Sequence, residues 1–248
     1  MLFRSRSTPD GYTICISQPA PLAIAPFVHA KIPYDPERAF RPVMNMGISS
    51  TLLVANVAAP FSSLAEAVAQ AKAKPGSLNW GSWGASSLPN LYRAWMESRT
   101  GAGFTDIPYK TTEQQQQAVI GGEVAIGVLN TRLGQAQIKA GKVKALAQIG
   151  LRRSPLFPDV PLFTELGYEL DFRPWVGVFA PAGTPEPIVA RLNADLGRLL
   201  QDRGFVERFM VPLSIEPMGG TPDQFEAFLK KERATLAQLV KLAGVKPE

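Results

Sequence analysis

Short apolar runs alternate with amphipathic helical segments along most of this chain of 248 residues, and no other feature constrains the fold as strongly. Segment 62–74 shows the helical pattern: Leu64, Val68 and Ala71 share one face, Ser62 or Ser63 caps the start, and Pro75-Gly76 ends it. Strands that alternate with helices are typical of an open α/β sheet. The predicted middle strands are 78–82, 106–109, 124–129 and 143–149, with helices 89–99, 112–120 and 132–140 between them.

The two ends of the chain follow this pattern less regularly. An apolar run at 12–17 predicts a buried strand, and the three prolines in 19–27 allow only a short or irregular helix. The chain is expected to be mainly helical after Pro187. Further extended runs are expected at 43–47, 52–57 and 175–180, and helices at 187–201, 202–210 and 221–243.

The charge distribution argues against a protein that binds nucleic acid. Lys and Arg number 26 against 21 Asp and Glu, and this excess is scattered instead of concentrated on one stripe. A mildly basic surface attracts small anions, which weakly favours an acidic ligand. The single cysteine, Cys15, excludes an internal disulfide and is expected to be buried, and no apolar stretch reaches the ~20 residues that span a bilayer.

Residues that could catalyse a reaction or hold a metal are scarce. His29 is the only histidine, there is no nucleophile-elbow motif, and His, Cys and carboxylate residues do not cluster at metal-ligand spacing. Asp35 and Glu37 lie close together among prolines, but nothing else marks them as an acid/base pair. We therefore expect a protein that is not an enzyme and has no metal or cofactor, although an acid/base pair assembled in space stays open.

The candidate ligand-binding segment is the small-residue loop 81–91, between a predicted strand and a predicted helix. Small residues let backbone N–H groups approach a ligand, and a helix N-terminus favours negative charge. The alternative is an ordinary loop with a serine cap, and the loop matches neither a P-loop nor a dinucleotide fingerprint. The candidates for carboxylate or phosphate binding in this loop are Ser82, Gly84, Ala85, Ser86, Ser87 and Asn90.

Two further sets of candidates follow other predicted strands. Ser17, Gln18 and Pro19 follow strand 12–17, and Asn130 and Thr131 follow strand 124–129. Open α/β sheets bind ligands at the carboxyl ends of their strands, so both sets are further candidates for contact with the ligand.

A series of short motifs follows in a fixed order over nearly the whole chain. They are Pro9-Asp10-Gly11-Tyr12-Thr13, Tyr34-Asp35-Pro36, Phe40-Arg41-Pro42-Val43, Gly81-Ser82-x-Gly84, Pro108-Tyr109-Lys110, Gly121-Gly122-x-Val124, Arg153-Ser154-Pro155, Trp175-x-Gly177 and Ala180-Pro181-Ala182-Gly183-Thr184-Pro185. In this order they resemble the Bug-type (TctC-like) solute receptors of tripartite tricarboxylate transporters.

The resemblance implies a two-lobed α/β periplasmic-binding-protein fold (type II) with a hinge of crossing strands. Lobe 1 is then 1–52 and 176–248, and lobe 2 is 53–175. Residues 1–8 contain no leader and run directly into the turn at Pro9-Asp10-Gly11, so the first strand and helix of lobe 1 are expected to be missing. Trp80, Trp83 and Trp175 are expected to flank the cleft between the lobes.

The function that the resemblance implies is that of a monomeric periplasmic receptor. It captures a small carboxylate, holds it partly on the segment 82–90 without chemistry, and delivers it to membrane permease subunits. Asn90, Thr111 and Ala125 stand where the family usually has His, Gly and Asp, which predicts a different solute for this chain. Two alternatives stay open, a sensor or regulatory protein with the same fold and a small α/β enzyme that acts on an acidic metabolite.

Overall fold

The computed structural model describes residues 6–84, 87–169 and 172–245, and these form two compact units. The first unit contains residues 6–49 and 172–238, and the second contains the described residues of 50–169 together with 239–245. Each unit is built on one β-sheet, of four strands in the first and five in the second.

The strands of the first unit are β1 (Cys15–Ser17), β2 (Phe40–Ser49), β8 (Trp175–Pro181) and β9 (Ile215–Gly219). They form a sheet that is antiparallel throughout, in the order β1-β8-β2-β9. Its helices are the π-helical turn Ala20–Ile24, α1 (Ala25–Val28), α6 (Glu186–Gln201) and most of α7 (Pro222–Leu242). Between α6 and β9 lie Arg203–Phe205, Val206–Met210 and Val211–Leu213, which are α, π and 3₁₀ turns.

The strands of the second unit are β3 (Thr51–Asn56), β4 (Leu78–Ser82), β5 (Phe104–Pro108), β6 (Ile126–Asn130) and β7 (Val143–Ile149). They form a sheet in the order β5-β4-β6-β3-β7. β4 is parallel to β5 and to β6, whereas β3 is antiparallel to β6 and to β7. The helices are α2 (Leu64–Ala73), α3 (Leu88–Thr100), α4 (Thr112–Gly121) and α5 (Thr131–Lys139), with a 3₁₀ turn at Thr164–Leu166.

Local signals explain where these helices begin and end. Ser63 caps α2 by accepting the N–H of Glu66, and Thr111 caps α4 by accepting the N–H of Gln114. Gly101 and Gly122 adopt left-handed conformations at the ends of α3 and α4, which glycine does without strain. The predicted helices and strands of the second unit are therefore present, within a few residues of the expected bounds.

The region after Pro187 is mainly helical, as expected, but it also contains the strand β9, which was not predicted. The helix expected at 202–210 is present as an α turn followed directly by a π turn. β9 is an edge strand that contains Pro217, and edge strands tolerate proline because one side of them needs no ladder partner. Cys15 is buried, as expected.

Each unit has its own apolar core. In the first, Leu192 and Leu196 of α6 pack on Val43, Val178 and Ala180 of the sheet. In the second, a cluster formed by β3, β6, β7 and α4 contains Leu52, Val54, Ala118, Val119, Val124, Leu129, Val143 and Phe157. Across the described ranges, no helix combines the length and apolar character needed to cross a bilayer.

Candidate functional site

The loop that follows β4 is held together by its own serine hydroxyls. Ser87 Oγ accepts the N–H of Trp83 at 3.3 Å and donates to the carbonyl of Gly84 at 2.7 Å, and Ser82 Oγ accepts the N–H of Gly84 at 3.4 Å. Gly84 has a φ of 103°, a left-handed conformation that favours glycine. These bonds fix the shape of the described part of the loop. Two predicted site residues, Ala85 and Ser86, lie outside the described residues.

α3 begins where this loop ends. Ser87 is its N-cap residue but makes no capping bond, because its hydroxyl is used within the loop, and Pro89 occupies the first turn. The first N–H groups of a helix have no partner inside the helix, and they carry a partial positive charge. This arrangement suits an anionic group of a ligand.

Asn90, in the first turn of α3, is 2% exposed and is oriented by a neighbour on the same helix. Its Oδ1 accepts from Nε of Arg93 at 3.1 Å and from the terminal NH2 group at 2.8 Å. The other terminal nitrogen of Arg93 donates to Glu97 Oε2 at 2.6 Å. The guanidinium of Arg93 is therefore hydrogen-bonded to Asn90 on one side and to Glu97 on the other.

The structure brings Asn130 and Thr131 to the same edge of the sheet as Ser82, because β4 and β6 are parallel and both end there. Asn130 is exposed and caps α5 by accepting the N–H of Leu133 at 2.8 Å. Thr131 is buried, and its hydroxyl donates to the carbonyl of Ser50 at 3.0 Å. Both side chains thus have a structural role at the start of α5.

One polar residue at this edge was missed by the sequence analysis. Thr51 pairs with Asn130 across the β3–β6 ladder, and its Oγ1 is buried without a hydrogen-bond partner in the described structure. A buried hydroxyl without a partner calls for an explanation, and a ligand or water is one. The run Ser49-Ser50-Thr51, three hydroxyl residues directly before an apolar strand, is the sequence signal that points to it.

A cavity of about 620 Å³ lies beside the end of β5, lined by Pro108, Tyr109, Lys110, Glu113, Gln114, Gln117, Ala118 and Glu123. Tyr109 is tied to the loop after β4, since its N–H donates to the carbonyl of Ser82 at 2.8 Å. Burial, followed by the nearby Glu123 carboxylate, raises the pKa of the Tyr109 phenol. Tyr109 therefore stays a neutral hydroxyl at physiological pH, and none of the predicted site residues lines this cavity.

The predicted residues Ser17, Gln18 and Pro19 belong to the first unit. Ser17 ends β1 and is buried, and its Oγ has no hydrogen-bond partner among the described residues. Gln18 is exposed, and Pro19 is the buried N-cap residue of the π-helical turn. Ser17 thus carries a buried hydroxyl without a described partner, for which a ligand or water is one explanation.

The expectation that three tryptophans flank a cleft was wrong for two of them. Trp80 is fully buried against Phe104, with ring centroids 5.3 Å apart, and Trp175 is 1% exposed among phenylalanine rings. Trp83, in the loop after β4, is partly exposed. In the described part of the chain, no group of three or more His, Cys, Asp or Glu side chains is placed to hold a metal ion.

Comparison with known proteins gives this geometry a context. The chain is 34% identical to protein BugT of Bordetella pertussis, over 98% of this chain and 74% of that protein. Among solved structures it is similar to R. palustris Rpa4515 with adipate (27% identity, TM-score 0.85, 100% of this chain and 83% of that one). It is also similar to MatC of Rhodopseudomonas palustris with bound malate (26% identity, TM-score 0.76, 96% and 82%).

These likenesses confirm the predicted fold class, the two-lobed α/β fold of periplasmic binding proteins. The model of one family, the tripartite tricarboxylate transporter family receptors, matches residues 2–245. That family consists of periplasmic solute-binding receptors, as the resemblance implied. This chain therefore belongs to the tripartite tricarboxylate transporter receptor family.

Proposed function

We propose that this protein is a periplasmic receptor that binds a small carboxylate and delivers it, without chemical change, to the permease subunits of a tripartite tricarboxylate transporter. In this proposal the two compact units are its two lobes, and it acts as a monomer. The observation that carries the proposal is the loop after β4, where hydroxyls, small residues and the first N–H groups of α3 come together.

The ligand class follows from the donors of this site. Serine hydroxyls, a carboxamide and helix N–H groups bind a carboxylate through charge-assisted hydrogen bonds, and they need no metal or cofactor. Two structures similar to this chain hold adipate and malate, which are dicarboxylates. We therefore propose a dicarboxylate, held within the second unit by Ser82, Gly84, Ser86 and Asn90 together with Thr51, in a loop that Ser87 shapes.

Calorimetric titration of the chain with C4 to C6 di- and tricarboxylates and with acidic amino acids tests this proposal. We expect saturable binding of at least one acid, with a change in the fluorescence of Trp83. The doubly substituted variant Ser86→Ala/Ser87→Ala should bind that acid at least tenfold more weakly, since it loses the Ser86 hydroxyl donor and the two hydrogen bonds by which Ser87 shapes the loop.

The matched control is Ser63→Ala, which removes a serine cap from α2, a helix of the same unit, outside the proposed site. Its affinity should equal that of the parent protein. Unchanged affinity in the double variant would rule out this assignment of the site. Conversion of the acid during incubation would favour an enzyme instead of a receptor.

A further inference from the structure

Asn90 is the last member of a chain of polar contacts that starts at the backbone of β5. The N–H of Phe104 donates to Glu97 Oε1 at 2.8 Å, and Glu97 Oε2 accepts from Arg93 at 2.6 Å. Arg93 in turn donates twice to Asn90 Oδ1, at 3.1 and 2.8 Å. The three side chains follow at i, i+3 and i+7 on α3, so they share one face of this helix.

These contacts are largely shielded from water. Asn90 is 2% exposed, and the side chains of Arg93 and Glu97 are 14% and 26% exposed. Charge-assisted hydrogen bonds in such surroundings are stronger than those at an open surface. The Glu97 carboxylate balances the charge of Arg93, so that the chain of contacts as a whole is neutral.

The double contact with Arg93 determines which end of the Asn90 carboxamide is an acceptor and which is a donor. Rotating the amide by half a turn would place its NH2 group against guanidinium N–H groups, and two donors would then face each other. The oxygen is therefore held on the Arg93 side, and the NH2 group is held away from it.

We propose that Arg93 is a positioning residue for ligand selection: it holds Asn90 as a hydrogen-bond donor, so that this position accepts an ionised carboxylate and rejects a group that can only donate. This inference rests on the proposed function, and it extends that function to a residue that itself does not touch the ligand. Because Glu97 balances the Arg93 charge, selection here depends on donor geometry and not on a free cation.

The most direct test is Asn90→Asp. The new carboxylate still accepts both bonds from Arg93, so the fold should be retained, but an acceptor replaces the NH2 donor. We expect dicarboxylate affinity to fall by about a hundredfold, because a donor is lost and two carboxylates repel each other. Calorimetry with the acid bound best by the parent protein measures this loss, and circular dichroism checks the fold.

A second variant, Arg93→Lys, tests the positioning role itself. A lysine keeps the charge near Glu97 but cannot form the planar double contact with Asn90. We expect binding to weaken about tenfold. We also expect the side-chain NH2 signals of Asn90 in a ¹⁵N–¹H spectrum, identified by their disappearance in Asn90→Asp, to shift and broaden. Arg99→Lys, an exposed position on the same helix, is the matched control and should change neither.

The outcomes separate the two proposals. If Arg93→Lys binds the acid as tightly as the parent protein and the Asn90 signals do not move, the positioning role is overturned while the receptor function stands. If the folded parent protein binds none of the acids, the proposed function is overturned and the ligand role of Asn90 falls with it. Weakened binding with moved Asn90 signals supports the inference.

Discussion

The two units stabilise their folds in different ways. In the first, Trp175 is surrounded by Phe179, Phe225 and Phe228, with ring centroids 5.8 to 6.3 Å away. In the second, buried amides bind backbone carbonyls of a helix and of loops: Asn56 Nδ2 donates to the carbonyls of Val119, Ile120 and Lys142, and Gln148 Nε2 donates to those of Phe157 and Val160.

This difference bears on function. Aromatic packing depends on shape and tolerates a similar ring, whereas a buried amide fixes individual backbone groups in one position. The loops that carry most of the proposed ligand contacts belong to the second unit, where side chains hold the backbone directly. Ser17, in the first unit, lies on a three-residue edge strand with one neighbour, and its hydroxyl has no hydrogen-bond partner among the described residues.

The largest expected effect is that of Trp175→Ala, which should lower the free energy of unfolding by about 4 kcal/mol because it empties the centre of an aromatic cluster. Trp175→Phe should cost less than about 2 kcal/mol, since a ring remains and the indole N–H that it removes has no hydrogen-bond partner among the described residues. Urea denaturation followed by circular dichroism measures both. Equal losses would contradict an aromatic core that tolerates ring exchange.

Gln148→Ala should destabilise the second unit by about 3 kcal/mol, because it leaves two carbonyls and the N–H of Ser154 without their partner. Gln117→Ala, an exposed glutamine on α4, is the control and should change stability by less than about 0.5 kcal/mol. The same denaturation experiment applies. Similar effects at the two positions would show that the buried amide does not hold the loop.

A smaller effect is expected for the two serines. Ser87→Ala should cost about 1 kcal/mol, because two hydrogen bonds of the loop are lost. Ser17→Ala should leave stability unchanged or raise it slightly, since it removes a buried hydroxyl without a partner. Thermal unfolding compares the two variants. A clear loss of stability in Ser17→Ala would mean that its hydroxyl serves the fold and not a ligand.

The smallest effect concerns pH. The N–H of Leu162, followed by Arg153, holds the pKa of Glu165 below its ordinary value. The folded state thus binds the proton more weakly than the unfolded state, so this stabilisation is present at neutral pH and is lost as pH falls through the folded-state pKa. On going from pH 7 into the acid range, the melting temperature should therefore fall less for Glu165→Gln than for the parent protein. An equal fall in melting temperature for the two proteins would contradict this role of Glu165.

Much of the second unit could be predicted because its signals are local. Ser63 and Gly122 mark the ends of helices through contacts within a few residues, and the loop 82–90 was recognisable from its small and hydroxyl residues. β9 was missed because Pro217 and Gly219 do not resemble a strand. This segment forms a strand because it pairs with β2, more than 150 residues away in sequence, in a register that places Asn45 opposite Gly219.

The sequence by itself determined the α/β class, the ends of most helices, the loop proposed to bind the ligand and the family, since caps, periodicity and motifs act over short stretches of chain. Only the tertiary structure decided that β9 joins a sheet, that Trp80 and Trp175 are core residues, that Thr51 stands opposite Asn130, and that Glu97 ties Arg93 and Asn90 to β5. The physical reason is that strand pairing, burial and side-chain hydrogen bonds join residues far apart in the chain, and no local pattern specifies their partners.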